Sequence, residues 1–131
     1  MLAIDTNILI RFILRDDPNQ AQQADDVFQK AIESGDEIFV SDVTLCELAW
    51  VLKRTFKFRR DQILKVLRSI YETDIIRFAS DDKIADSLDL YEKGRADFAD
   101  YLIIQHCKAA GAPNLISFDK AALGEPGFVG P

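Results

Sequence analysis

Five acids in this sequence stand where a folded chain has little use for a surface charge. Asp5 interrupts an apolar N-terminus, with "MLAI" before it and an apolar run resuming at Ile8. Asp119 follows the apolar stretch "NLISF". Glu47 lies inside "VTLCELAWVL", where Val43, Trp50 and Val51 occupy the i−4, i+3 and i+4 positions that share its helical face. Asp97 and Asp100 in "ADFAD" are three apart on one face near a helix start, and Ile103, Ile104 and Cys107 share the Asp100 side.

Each acid taken singly has a structural explanation. Asp is a good N-cap, which accounts for Asp5 and Asp119. "TLCE" fits a capping box with Thr44 as N-cap, although Ser41 and Asp42 already offer earlier starts. Asp97 suits a solvated acidic first turn. Taken jointly these explanations weaken, because a carboxylate on an apolar face is costly unless a cation meets it. Several carboxylates gathered in a low-dielectric place cannot all ionise without a counter-charge. A divalent cation answers both difficulties. The donors are all oxygens, the single histidine His106 lies off the Asp100 face, and neither Cys46 nor Cys107 pairs with it at metal-binding spacing. That set disfavours zinc and suits Mg²⁺ or Mn²⁺.

The elements that must position these acids alternate between strand and helix. Residues 1–5 read as a buried first strand, 6–16 as a short helix, 37–41 as strand two, 74–80 as strand three and 114–118 as strand four. A helix begins at Asp17-Pro18, with Asp as N-cap and Pro at the first helical position, and stops at Gly35. Further helices are expected over 43–56, 60–73, 81–94 and 96–111, with Gly94 and Gly111 as stops, and the tail has room for one edge strand. Short apolar strands separated by helices imply a parallel sheet with helices on both faces, as one α/β domain over residues 1–131. In such folds ligands bind beyond the carboxyl ends of the strands, where Asp5 and Asp119 fall.

Four stretches, "IDTNILI", "TLCELAWVL", "ADFADYLI" and "SFDKAA", resemble the PIN-domain ribonucleases in order and spacing, in particular the VapC-type toxins of toxin–antitoxin pairs. The resemblance covers essentially the whole chain. It implies a three-layer α/β sandwich around a central parallel sheet of four to five strands, and Mg²⁺- or Mn²⁺-dependent endonucleolytic cleavage of RNA, tRNA being a frequent target. Carried over residue by residue, Asp5, Glu47, Asp100 and Asp119 match the four-acid metal site and Asp97 the additional acid of a DxxD variant. Asn7 matches the family's DxN, where it supports the first acid, and Ser117 stands where a small hydroxyl residue precedes the last one. Thr6 and Asn7 begin the following helix and are expected to hold the Asp5 carboxylate in place. The resemblance also implies a homodimer held by a cognate antitoxin, for which the helices near Val27, Phe28, Trp50 and Phe56 could supply apolar surface.

The net charge of −6 argues against simple electrostatic binding of nucleic acid. Without the five candidate acids, however, the rest of the chain is nearly neutral, and its bases are unevenly spread. "KRTFKFRR" places Lys53, Arg54, Lys57, Arg59 and Arg60 within eight positions, with Phe56 and Phe58 between them. Such a turn could hold an RNA backbone and stack its bases, or serve as a solvated hairpin tip or partner interface. Arg11 and Arg15, on the helix leaving Asp5, are further candidate phosphate contacts. No apolar run approaches the length of a membrane span. The N-terminus lacks the pattern of a signal peptide, and two distant cysteines form no disulfide framework, so a reducing, cytoplasmic setting is expected.

Two other readings compete. A haloacid-dehalogenase-like phosphohydrolase also ends its first strand in Asp, but needs a second Asp two residues on, where this chain has Asn7. A non-catalytic interaction domain would let the acids be caps and surface charges. The placing of Glu47 on an apolar face speaks against it.

Overall fold

The computed structural model describes every residue from Met1 to Pro131. The chain divides into two compact units, Met1–Ala79 and Ser80–Pro131. The first contains β1 (Leu2–Ala3), α1 (Thr6–Leu14), α2 (Pro18–Ser34), β2 (Ile38–Phe39), α3 (Asp42–Arg54), α4 (Arg60–Tyr71) and β3 (Ile76–Arg77). The second contains α5 (Asp81–Lys93), α6 (Phe98–Ala109), β4 (Leu115–Ile116) and β5 (Phe128–Val129). The α/β character expected from the sequence is present, and every strand pair is parallel.

In the first unit the strands run in the order β1-β2-β3, with Leu2 opposite Ile38 and Ile38 opposite Ile76. Two helices separate each pair of neighbouring strands, as parallel pairing requires a crossover rather than a hairpin. The central strand is the buried one, and Ile38 and Val40 have no exposed surface. The sequence reads residues 1–4 as a buried strand, and here the structure corrects it. β1 lies at the sheet edge, Met1, Leu2 and Ala3 are exposed, and Ile4 is only half-buried. Having a strand partner on one side only, β1 is not enclosed as β2 is.

Local chemistry sets the helix ends. Asp17 caps α2 by accepting from Gln20 N at 3.1 Å, Pro18 is its first residue, and Gly35 closes it at φ +67°. That left-handed turn favours glycine. Helix α1 packs on α2 and α3, and α3 on α4. Within this layer Phe12 stacks on Phe28 with ring centres 4.2 Å apart. The core of the unit is built from Leu9, Ile10, Leu45, Leu48, Leu52, Ile63, Leu67 and Ile70.

In the second unit α5 packs on α6. Tyr91 meets Phe98 edge to face at 6.1 Å, and Ile84, Leu88, Tyr101, Leu102 and Ile104 are buried with them. The tail does form its edge strand, β5, with Phe128 opposite Leu115. No helix is long and apolar enough to cross a membrane.

Candidate active site

Four of the five candidate acids sit at helix starts or in a turn, where hydrogen bonds with the backbone set their direction. Asp5 leaves β1 at its carboxyl end and is the N-cap of α1, and its Oδ1 accepts from Ile8 N at 3.2 Å. Thr6, the first residue of α1, is buried, whereas Asp5 and Asn7 are exposed. Beside Asp5 opens a cleft of about 410 Å³, walled by Ala3, Asn7, Ile8, Arg11 and Gln23. The N-cap reading of Asp5 is therefore true, and it leaves the carboxylate at the rim of a cleft.

Glu47 requires a correction. The sequence puts it on a buried apolar stripe, but it is exposed. Helix α3 buries Leu45, Leu48, Ala49 and Leu52, a stripe that at 3.6 residues per turn lies about 180° from Val43, Glu47 and Trp50. Val43 and Trp50 are themselves 75% and 56% exposed, so the face that carries Glu47 is apolar and open to solvent in this chain. Arg54 lies one turn beyond Trp50 with its guanidinium 5.7 Å from the ring centre. The desolvation argument for Glu47 falls. The capping-box alternative also falls, because Ser41 caps the helix by accepting from Thr44 N at 3.1 Å and α3 begins at Asp42.

In the second unit Asp97 is the N-cap of α6 and Asp100 its third residue, joined in a capping box in which Asp97 N donates to Asp100 Oδ2 at 3.1 Å. The positive end of the helix dipole favours carboxylates there. Asp119 follows β4. Its Oδ1 accepts from Ala121 N at 2.9 Å, and its own N–H donates to Ser117 Oγ at 3.0 Å. Ile103 and Phe118, adjoining these acids, are 46% and 86% exposed. His106 is exposed and Cys107 half-buried.

Several candidate RNA contacts are engaged inside the first unit. Arg11 donates from Nη1 to both carboxylate oxygens of Asp16 at 2.9 Å and from Nε to Gln20. Arg15 forms a two-pronged pair with Asp25 at 2.7 and 2.8 Å. Hydrogen bonding within that pair, reinforced by charge attraction, holds the Asp25 carboxyl below its ordinary range and raises the Arg15 guanidinium. Arg59 is paired with Asp61, whose carboxyl it likewise holds down. Lys53, Arg54 and Lys57 are exposed and Arg60 is half-buried. Lys57 takes the left-handed φ of +57° at the centre of the turn.

The donors fit a hard divalent cation by type, being carboxylate oxygens without nitrogen or sulfur. The structure does not assemble three or more of them into a closed metal-binding group.

The model of the PIN domain family matches residues 2–125, taking in every candidate acid. The chain belongs to the PIN-domain family. This PIN protein is also similar to a VapC ribonuclease from Aquifex aeolicus (strain VF5), with 24% identity over 120 residues. The match covers 92% of this chain and 88% of that protein.

Sequence reasoning missed two residues beside the acids of this PIN chain. Tyr101 is almost fully buried, and its Oη accepts from Ala96 N at 3.1 Å. Glu125 accepts from Arg95 N at 2.5 Å across thirty positions of sequence. Neither carries a local signal, since a tyrosine in a helix and an acid in a turn are ordinary there.

Proposed function

We propose that this PIN-domain protein is a metal-dependent endoribonuclease and the toxin of a toxin–antitoxin pair. The observation that carries the reading is the way Asp5, Asp100 and Asp119 are presented. All three sit at strand or helix ends, and each has one carboxylate oxygen tied to a backbone N–H. The family match over residues 2–125 and the similarity to a VapC ribonuclease support it. That match spans both compact units, which supports reading the chain as one domain.

Asp5, Glu47, Asp97, Asp100 and Asp119 are the proposed ligands of Mg²⁺ or Mn²⁺. When bound, such a cation supplies a water of lowered pKa and neutralises charge on the scissile phosphate. The work of the chain is positional. Backbone N–H groups at helix starts and turns fix the Asp5, Asp100 and Asp119 carboxylates before substrate arrives, which shortens the rotamer search at the moment of reaction. Asn7 and Ser117 stand beside Asp5 and Asp119 as supports, and the Ser117 hydroxyl holds the Asp119 backbone. Without a cation these acids would repel RNA, and a bound cation would invert the sign of the charge they present.

RNA contact is assigned to Lys53, Arg54, Lys57 and Arg60 around the α3–α4 turn, and Arg11, Arg15 and Arg59 contribute where RNA phosphate displaces their carboxylate partners. For the antitoxin and for a second copy of the chain, apolar surface is offered by Val43 and Trp50 and by a cleft of about 240 Å³ lined by Phe12, Ile13, Phe28 and Val66.

The test is cleavage of a mixed RNA substrate by the purified chain with Mn²⁺ or Mg²⁺, against EDTA and against Asp5→Asn and Asp100→Asn. Cation-dependent cleavage lost in both variants is expected. Equal activity in wild type and variants would refute the assignment.

A further inference from the structure

We propose that Glu125 and Tyr101 are positioning residues for the Asp97–Asp100 pair, an inference that rests on the nuclease reading above. Helix α5 ends at Lys93, and only Gly94, Arg95 and Ala96 separate it from Asp97, the N-cap of α6. The backbone donors of three successive residues in this stretch go to three different side chains. Arg95 N donates to Glu125 Oε1 at 2.5 Å, Ala96 N to Tyr101 Oη at 3.1 Å and Asp97 N to Asp100 Oδ2 at 3.1 Å. The third of these bonds orients a proposed metal ligand. The first two fix the chain immediately before it.

The clamp is closed tightly over Gly94. A Cβ there would lie 1.9 Å from Tyr101 Oη and 2.8 and 2.9 Å from the two carboxylate oxygens of Glu125. Ala96 is fully buried and Tyr101 is 1% exposed, so water cannot replace the hydroxyl as acceptor. Glu125 in turn belongs to the hydrogen-bonded turn that begins at Asp119. Ala122 N and Leu123 N donate to Asp119 O at 3.1 and 3.0 Å, and Glu125 N donates to Ala122 O at 3.0 Å. One carboxylate therefore joins the segment carrying Asp119 to the segment carrying Asp97 and Asp100. It acts as a hydrogen-bond acceptor for the backbone and is not a ligand.

This assignment makes charge dispensable and the acceptor oxygen essential. Glu125→Ala, Glu125→Gln and Tyr101→Phe are compared with wild type for steady-state RNA cleavage in Mn²⁺, for Mn²⁺ binding by calorimetry and for thermal unfolding, with Asp100→Asn as reference. Glu125→Ala is expected to lower kcat or Mn²⁺ affinity by about 10–100-fold, the usual effect of removing an outer support of a ligand. Its KM for RNA stays unchanged. Glu125→Gln keeps the acceptor and restores the wild-type values, a rescue that general destabilisation does not produce. Tyr101→Phe, which keeps the ring, follows Glu125→Ala, and it carries the test if Glu125→Ala fails to fold.

If Glu125→Gln is as impaired as Glu125→Ala, the carboxylate has a direct chemical role and the proposal is overturned. If Asp100→Asn is inactive while both Glu125→Ala and Tyr101→Phe keep wild-type kcat and Mn²⁺ affinity, the positioning role alone fails. If wild type itself cleaves no RNA, the nuclease reading fails and this proposal with it.

Discussion

Gly94→Ala tests the packing of the second unit most sharply, because its effect comes from space alone. Gly94 has φ −99° and ψ −165°, an extended conformation that alanine adopts without strain. The added methyl, however, would sit 1.9 Å from Tyr101 Oη. Ordinary contact between heavy atoms begins near 3.5 Å, so the hydroxyl must retreat by roughly 1.5 Å. Tyr101 is buried and has no open side to move into. Its bond to Ala96 N, now 3.1 Å, then stretches beyond hydrogen-bonding range and leaves a buried N–H without a partner. Overpacking of this kind costs about 1–3 kcal/mol, and an orphaned buried donor costs about 1–3 kcal/mol more. For a chain of this size each kcal/mol lowers the melting temperature by about 3–5 °C. A fall of roughly 6–30 °C is therefore expected in thermal unfolding followed by far-ultraviolet circular dichroism. Gly130→Ala, with nothing within 4 Å of the new Cβ, is the control and should melt as wild type does. A melting temperature of Gly94→Ala within about 2 °C of wild type would show that Tyr101 and Glu125 do not close over Gly94.

Other substitutions separate stability from chemistry. Asp5→Asn keeps an oxygen to accept from Ile8 N, so its urea midpoint should stay close to wild type, whereas Asp5→Ala loses the cap and about 1 kcal/mol. Both should abolish RNA cleavage, and retained cleavage in either would remove Asp5 from the site. The Asp25 carboxyl is held below its ordinary value by the hydrogen bond and charge of Arg15, so the pair stabilises the fold above about pH 4 and loses its effect as the pH falls through the lowered value. The melting-temperature gap between wild type and Asp25→Asn should accordingly be full at about pH 6 and close in acid, and a gap that persists unchanged would show that the ion pair is not its source.

Much of the local architecture was legible in the residues. Asp17-Pro18 and Gly35 delimit α2 because capping and the left-handed stop are nearest-neighbour chemistry, whereas the helix expected from 96 begins at Phe98, with Asp97 as its N-cap rather than in its first turn. Helix α3 shows where such reading ends. It is apolar on two opposite faces, one with Leu45, Leu48 and Leu52 and the other with Val43 and Trp50, so periodicity alone cannot say which is buried. Packing against α1 and α4 buries the leucine face and leaves Glu47 in solvent. Likewise Arg11 and Arg15 look like unengaged cations until α2 brings Gln20 and Asp25 to them.

The sequence by itself thus determined which residues can do the chemistry and which elements carry them. Carboxylates are identified by type, and the strand and helix ends that present Asp5, Asp97 and Asp119 follow from patterns only a few residues long. Tertiary structure alone decided which helix face is core, which arginines are engaged, and that Glu125 reaches back across thirty residues to Arg95. Those outcomes depend on side chains distant in sequence meeting in space, and no local pattern encodes such a meeting.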